Sequence, residues 1–302
     1  MDWQKTLELI PDGVQTLSKR PSQYIEGIYP YYIDKGEGAY IYDHKGNKFV
    51  DYPCGLGAIL LGHAYPATMR AVIDRMERGH LFPLPNYLET ELAEKLREII
   101  PCAEMSRFLK SGSEACTAAI KIARAYTNKN VILSSGYHGW HPVFSIAEEK
   151  HAGVIDENGY YIKKIDHEDS ITFCDELRDR DDIAAVIIEP YIYETPNVGF
   201  WKNLRKLCTQ KNVVLIFDEI ITGFRTPSCS AQKYWGITPD MACFSKAMAN
   251  GFPISVVCGK TELMKVLEAD CFVSSTFGAD LISIAAALST IEEIETKNVI
   301  TH

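Results

Sequence analysis

The sequence has no basic excess. Its 302 residues carry 31 basic and 40 acidic side chains, a net charge of −9, which argues against a nucleic-acid or anionic-membrane partner. It has no long apolar run: none reaches the ~20 residues a helix needs to span a bilayer. The opening MDWQKTLELIPDG is too polar for a secretory signal, so a cytoplasmic protein is expected. Paired cysteines are missing too. Nine are scattered along the chain, none in C-x-x-C spacing and several inside apolar runs. Buried thiols in a reducing cytosol are therefore expected, not disulfides or zinc. His138 and His141 form an H-x-x-H spacing with no carboxylate close by in sequence, and no metal site is expected from it. Repeats, low-complexity tracts and a clear linker are also lacking.

What is present suits a globular fold. Hydrophobic residues make up 46% of the chain, enough for a large core in one domain or two. The stretch from Val213 to Lys246 organises the rest. VVLIF is a short apolar run ending in Asp218 and Glu219. MACFS is a second such run, ending on Lys246, and Gly251 and Pro253 then turn the chain. Both runs suit buried strands of a parallel sheet. An acid and an amine thus stand just past the C-terminal ends of strands, where open α/β sheets bind ligands. A pyridoxal phosphate site needs such a pair, a lysine to bond the cofactor as a Schiff base and a carboxylate to keep its pyridine nitrogen protonated. A surface lysine and a surface aspartate at strand ends would read the same way.

In chain order, Trp3 to Ile10 predicts a short helix stopped by Pro11 and Gly13. AYIYDHKGNKFVDY predicts a hairpin with its turn at Asp43 to Asn47. Amphipathic helices are expected over Pro66 to Arg78 and Leu88 to Ile100. SGSEACTAAIKIARAYT predicts a helix with Ser113 as N-cap and Ala115, Ala118, Ile122 and Tyr126 on its apolar face. Its Ser-Gly-Ser start offers hydroxyls and free N–H groups to a phosphate, or simply caps the helix. Strands are expected at Ser106 to Lys110, Val131 to Leu133, Ala184 to Ile188 and Ser255 to Cys258. His151 to Ser170 reads as an irregular surface excursion. Lys202 to Lys211 and Leu281 to Glu295 read as helices. Strands and helices alternate throughout, which predicts an α/β fold with a largely parallel sheet. Residues 1–60 are expected to form an N-terminal segment with the hairpin, and 61–302 a large domain ending in a connecting helix.

The order of these signals is specific. GAYIYDHKGNKFVDY, FLKSGSEACTAAIKIARAYT, YHGWH, IIEP, LIFDEIITGFR, FSKAMANGFP and SSTFGAD together resemble the class III aminotransferases of PLP fold type I, and among them the glutamate-1-semialdehyde 2,1-aminomutase branch. The resemblance covers almost the whole chain. It implies a mostly parallel sheet flanked by helices, pyridoxal 5′-phosphate as cofactor, and a small-molecule amino donor and carbonyl acceptor. It implies Lys246 as the cofactor-bonded residue and proton carrier, Asp218 as partner of the pyridine nitrogen, and Tyr137 over one face of the ring. Ser111, Gly112 and Ser113 would hold the phosphate. His138, Glu189 and Ile220 would line the cofactor. Thr276 would reach the phosphate of a neighbouring subunit's cofactor, so a homodimer with shared sites is implied.

Two departures lie on the substrate side. Lys19 stands where the aminomutase pattern has an arginine, and Lys cannot grip a carboxylate at two points as Arg does. Leu56 stands where an aromatic is expected. Both point away from glutamate-1-semialdehyde as substrate and towards an aminotransferase. Intramolecular amino transfer, a decarboxylase or racemase of the same family, and a cofactor-binding remnant with little turnover stay open. Family members usually continue into a C-terminal small domain, which the resemblance implies is absent from this chain. On that reading the helix over Leu281 to Glu295 should expose an apolar face of Leu281, Ile284, Leu288 and Ile291.

Overall fold

A computed structural model of the protein describes residues 2–25, 27–155, 161–166, 169–190 and 198–301. Helix α1 (Trp3–Leu9) opens the chain. A three-stranded antiparallel sheet follows, β1 (Ile33–Glu37), β2 (Tyr40–Asp43) and β3 (Lys48–Val50), in that order. The expected hairpin is β2–β3. Its turn is held by Asp43, whose carboxylate accepts from the N–H groups of Lys45 and Asn47 at 2.9 Å each and from the Asn47 amide at 2.8 Å. Strand β1, unmarked in the sequence reading, pairs with β2.

The main sheet has seven strands: β4 (Met105–Leu109), β5 (Val131–Ser135), β6 (Ile162–Lys164), β7 (Ile183–Ile188), β8 (Val214–Asp218), β9 (Met241–Phe244) and β10 (Ser255–Gly259). Their spatial order is β4-β10-β9-β8-β7-β5-β6. Strand β10 runs antiparallel to both β4 and β9, and the pairings from β9 to β6 are parallel. The sheet is buried because helices cover both faces, which is why its strands read as continuous apolar runs. On one face Ala185, Ile187, Val214, Ile216 and Cys243 pack against α4 (Gly112–Thr127). On the other, Val186, Ile188, Leu215, Phe217 and Phe244 share a core with α5 (Ser170–Asp179), α6 (Val198–Lys211) and α7 (Leu281–Thr296). Helices α2 (Pro66–Met76) and α3 (Tyr87–Ile99) extend that second core through Val72, Leu92 and Leu96.

Four expectations are corrected. The N-cap of α4 is Ser111, not Ser113: its hydroxyl accepts from the Glu114 N–H at 3.3 Å and the Glu114 carboxylate returns to the Ser111 N–H at 2.7 Å. This capping box starts the helix two residues early. Tyr126 is exposed, because the small residues Ala115, Ala118, Ala119 and Ala123 bring α4 close to the sheet and leave no room for a ring. The stretch 151–170 is not wholly an excursion, since β6 adds the edge strand and buries Ile162. Finally, the apolar face of α7 is covered. Leu281, Ile284 and Ile291 are buried and Leu288 is half-buried against the same core. Helices α2 and α3 supply the cover, with Thr68 meeting Thr290 at 3.5 Å and Lys95 meeting Glu295 at 2.8 Å.

Candidate active site

The parallel strands deliver their chemistry at one edge. Ser135 ends β5, Glu189 follows β7, Asp218 ends β8, and Lys246 lies two residues past β9. Together with the start of α4 and the loop after β5 they enclose a cavity of about 850 Å³. Gly112, Ser113, Tyr137, His138, Glu189, Asp218, Ile220 and Lys246 all border it. The sequence reading placed these residues together. The cavity also contains Cys116, Ser135, Ile221 and a rim ion pair, Glu148 to Lys164 at 2.9 Å, which it did not single out. The spread of β5 to β9 in sequence hid them.

Asp218 is 2% exposed. Its Oδ2 accepts from His138 Nδ1 at 2.7 Å and from the Cys116 thiol at 3.3 Å, and its Oδ1 accepts from the Ile220 N–H at 3.1 Å. Burial disfavours a charged His138, but the Asp218 carboxylate and Cys116 outweigh it and push the imidazole up to about 10. His138 Nε2 is buried with no partner among the described residues. His141 turns elsewhere, to Thr117 at 2.9 Å, so the H-x-x-H pair does not converge.

Glu219, next in sequence, faces away from the cavity. Its carboxylate accepts from Ser230 and Gln232 at 3.0 Å each, from the Ala231 N–H at 2.7 Å and from Thr222 at 3.3 Å. The two adjacent acids therefore divide their work, one towards the cavity and one holding a loop.

Lys246 adopts φ 44°, the left-handed region that non-glycine residues seldom occupy. The turn is bolted down by Asn250. Its Oδ1 accepts from the N–H groups of Leu60 and Leu61 at 2.8 Å each, and its amide donates to the Gly62 carbonyl at 2.9 Å. Sequence reasoning passed over Asn250, although Asn-Gly was the available turn signal. Burial lowers the Lys246 amine below its ordinary value, against the pull of Asp218 and Glu189, with Arg225 adding to the fall. Glu189 is raised by burial, opposed by the Tyr137 N–H that donates to it at 2.6 Å.

The start of α4 forms a cradle. First-turn N–H groups of a helix have no partner within it, and Gly112 and Ser113 border the cavity. Gly139 sits at φ 104°, so close that a Cβ there would collide with Ser113 Oγ. An anionic group fits this helix start. Ser111 does not reach the cavity, because its hydroxyl is committed to the cap. Thr276 borders a separate cavity of about 240 Å³ with His80, Phe82 and Asn86. Lys19 is exposed and outside the main cavity. Residues Cys54 to Gly57, the stretch containing Leu56, all have left-handed φ.

Residues 25–302 match the Aminotransferase class-III family. The 3-aminobutyryl-CoA aminotransferase of Cloacimonas acidaminovorans is 38% identical over 301 residues, 97% of this chain and 72% of that protein. The glutamate-1-semialdehyde 2,1-aminomutase of Saccharolobus islandicus is 38% identical over 309 residues, again covering 97% and 72%. Among solved structures, the PLP internal aldimine form of the Sphingopyxis sp. MTA144 FumI protein superposes with a TM-score of 0.90 at 27% identity. An omega-transaminase from Sphaerobacter thermophilus gives 0.89 at 27%. Each comparison covers 97% of this chain and 72% of the other.

Proposed function

This chain belongs to the class-III aminotransferase family and is a pyridoxal 5′-phosphate-dependent enzyme, and from that premise we propose that it moves an amino group between separate donor and acceptor molecules in the cavity at the β5–β9 edge. The observation that carries this is the convergence of Lys246, Asp218, Tyr137 and the Gly112–Ser113 helix start on that cavity.

The residues fit the cofactor. The cradle suits a phosphate, and Asp218 suits a protonated ring nitrogen because it is buried and already oriented by three donors. Ile220 and Tyr137 would border the ring, with Glu189 on the Tyr137 side. When bound, the cofactor withdraws electrons from the carbon that carries the amino group. Lys246 then acts through its Nζ. Burial favours the neutral amine, which can accept a proton from that carbon and return it. Glu189 stays near this amine and affects its charge.

Transfer between two molecules is favoured over intramolecular transfer because Lys19 stands where the aminomutase pattern has an arginine and cannot grip a carboxylate at two points. We place the enzyme in the cytoplasm, on the support of nine unbridged thiols. We assign a homodimer whose partner supplies Thr276, supported by Thr276 lining a separate cavity and by the exposed Phe272 and Phe277 near it in sequence.

The test is the visible absorption of the purified protein with pyridoxal phosphate. Wild type should develop the lysine-bonded band, Lys246→Ala should lack it, and amino donors should bleach it with release of a keto product. Rearrangement without a released product would favour the aminomutase alternative. A band unchanged by every donor would favour the binding remnant, and no band would sink the assignment of Lys246.

A further inference from the structure

We propose that Cys116 is a positioning residue that sets the orientation of Asp218 towards the cofactor. The inference rests on Asp218 being the partner of the ring nitrogen. A carboxylate offers about four acceptor positions. In Asp218 two are taken on Oδ2, by His138 Nδ1 at 2.7 Å and by the Cys116 thiol at 3.3 Å. One on Oδ1 is taken by the Ile220 N–H at 3.1 Å. The remaining position is on Oδ1, and Asp218 borders the cavity. The two donors on Oδ2 oppose rotation of the carboxylate, so Oδ1 is the oxygen kept for the cofactor.

Cys116 is shielded from solvent, with its thiol within reach of Asp218 Oδ2. It is fully buried, four residues into α4, among Asp218, His138 and Cys243. Its thiol is a weak donor, but a hydrogen bond to a charged acceptor away from water is stronger than its neutral counterpart. The same helix presents Gly112 and Ser113 to the cavity one turn earlier. One rigid element therefore governs both ends of the ligand, the phosphate through its first turn and the ring nitrogen through Cys116 acting on Asp218.

The test uses cofactor affinity and the pH dependence of the visible band, with apo-protein melting as control. Cys116→Val removes the donor and adds about one methyl group of volume. It should weaken pyridoxal phosphate binding about three- to tenfold and shift the pH at which the band changes, with apo-protein melting reporting the cost of repacking separately. Cys116→Ser restores a donor and should recover most of the affinity. In an Asp218→Asn background Cys116→Val should add little, since the charged acceptor is gone. Wild-type affinity and band in Cys116→Val, or an equal loss in both backgrounds, would overturn the proposal. If Asp218→Asn itself leaves affinity and band unchanged, the assignment of Asp218 fails and this inference falls with it.

Discussion

At the residue scale, neighbouring carboxylates do different jobs because a strand end points alternate side chains to opposite faces. Asp218 faces the cavity, whereas Glu219 accepts four hydrogen bonds from the 222–232 loop. Glu219→Gln breaks that match by placing a donor among donors. It should destabilise the protein by about 1–3 kcal/mol in chemical denaturation, with cofactor affinity of the folded protein largely retained. His138 carries a pH signature. Its imidazole lies at about 10 in the folded protein against the ordinary 6.5. The folded state therefore binds the proton more tightly, and that contribution is fully present below 6.5 and lost as pH rises through about 10. His138→Gln should flatten the fall in apo-protein stability across that window. An unchanged slope would show that the ion pair contributes nothing to it.

At the element scale, α7 packs behind the turn that carries Lys246. Ile284, Ala287 and Ile291 share a core with Ala247, Met248 and Ala249, the turn that begins at Lys246. That turn is strained at Lys246 and held by Asn250. Removing packing beneath it should cost both stability and geometry. Ile291→Ala should lower unfolding free energy by about 2–5 kcal/mol and also weaken cofactor binding, measured by denaturation and by titration. A stability loss with wild-type affinity would mean that α7 is only core. The sequence pattern of α7 announced an apolar helix but misjudged its exposure. Periodicity counts apolar positions and does not reveal that α2 and α3, two hundred residues earlier in the chain, return to cover them.

At the scale of the whole molecule, the cavity is built by one chain and Thr276 stands outside it. The proposed shared site makes a sharp prediction. Lys246→Ala and Thr276→Ala variants should each be impaired, but mixing them after dissociation should return activity. A mixed dimer pairs an intact Lys246 with an intact Thr276 in one of its two sites. No recovery, with mixed dimers verified by mass, would remove Thr276 from the neighbour's site. Among the described residues no helix is long and apolar enough to cross a membrane, in line with the charge and hydropathy of the sequence.

By itself the sequence determined the local elements and the identity of the chemistry. Buried strands declare themselves as apolar runs because both faces are covered. Turns declare themselves through Asp43 and Asn47, and the order of Ser-Gly-Ser, Tyr-His-Gly, Asp-Glu and Ser-Lys marked Gly112, Ser113, Tyr137, His138, Asp218 and Lys246 on the cavity wall. Tertiary structure alone decided which Asx or Ser side chain does the capping, that β10 runs against its neighbours, that Ser111 is spent on α4, and that Cys116 and Asn250 attend Asp218 and Lys246. The physical reason is range. Propensity and pattern act over a few residues, whereas the partners of Asp218 and Asn250 lie 80 to 190 residues away, and only the closed fold brings them within hydrogen-bonding distance.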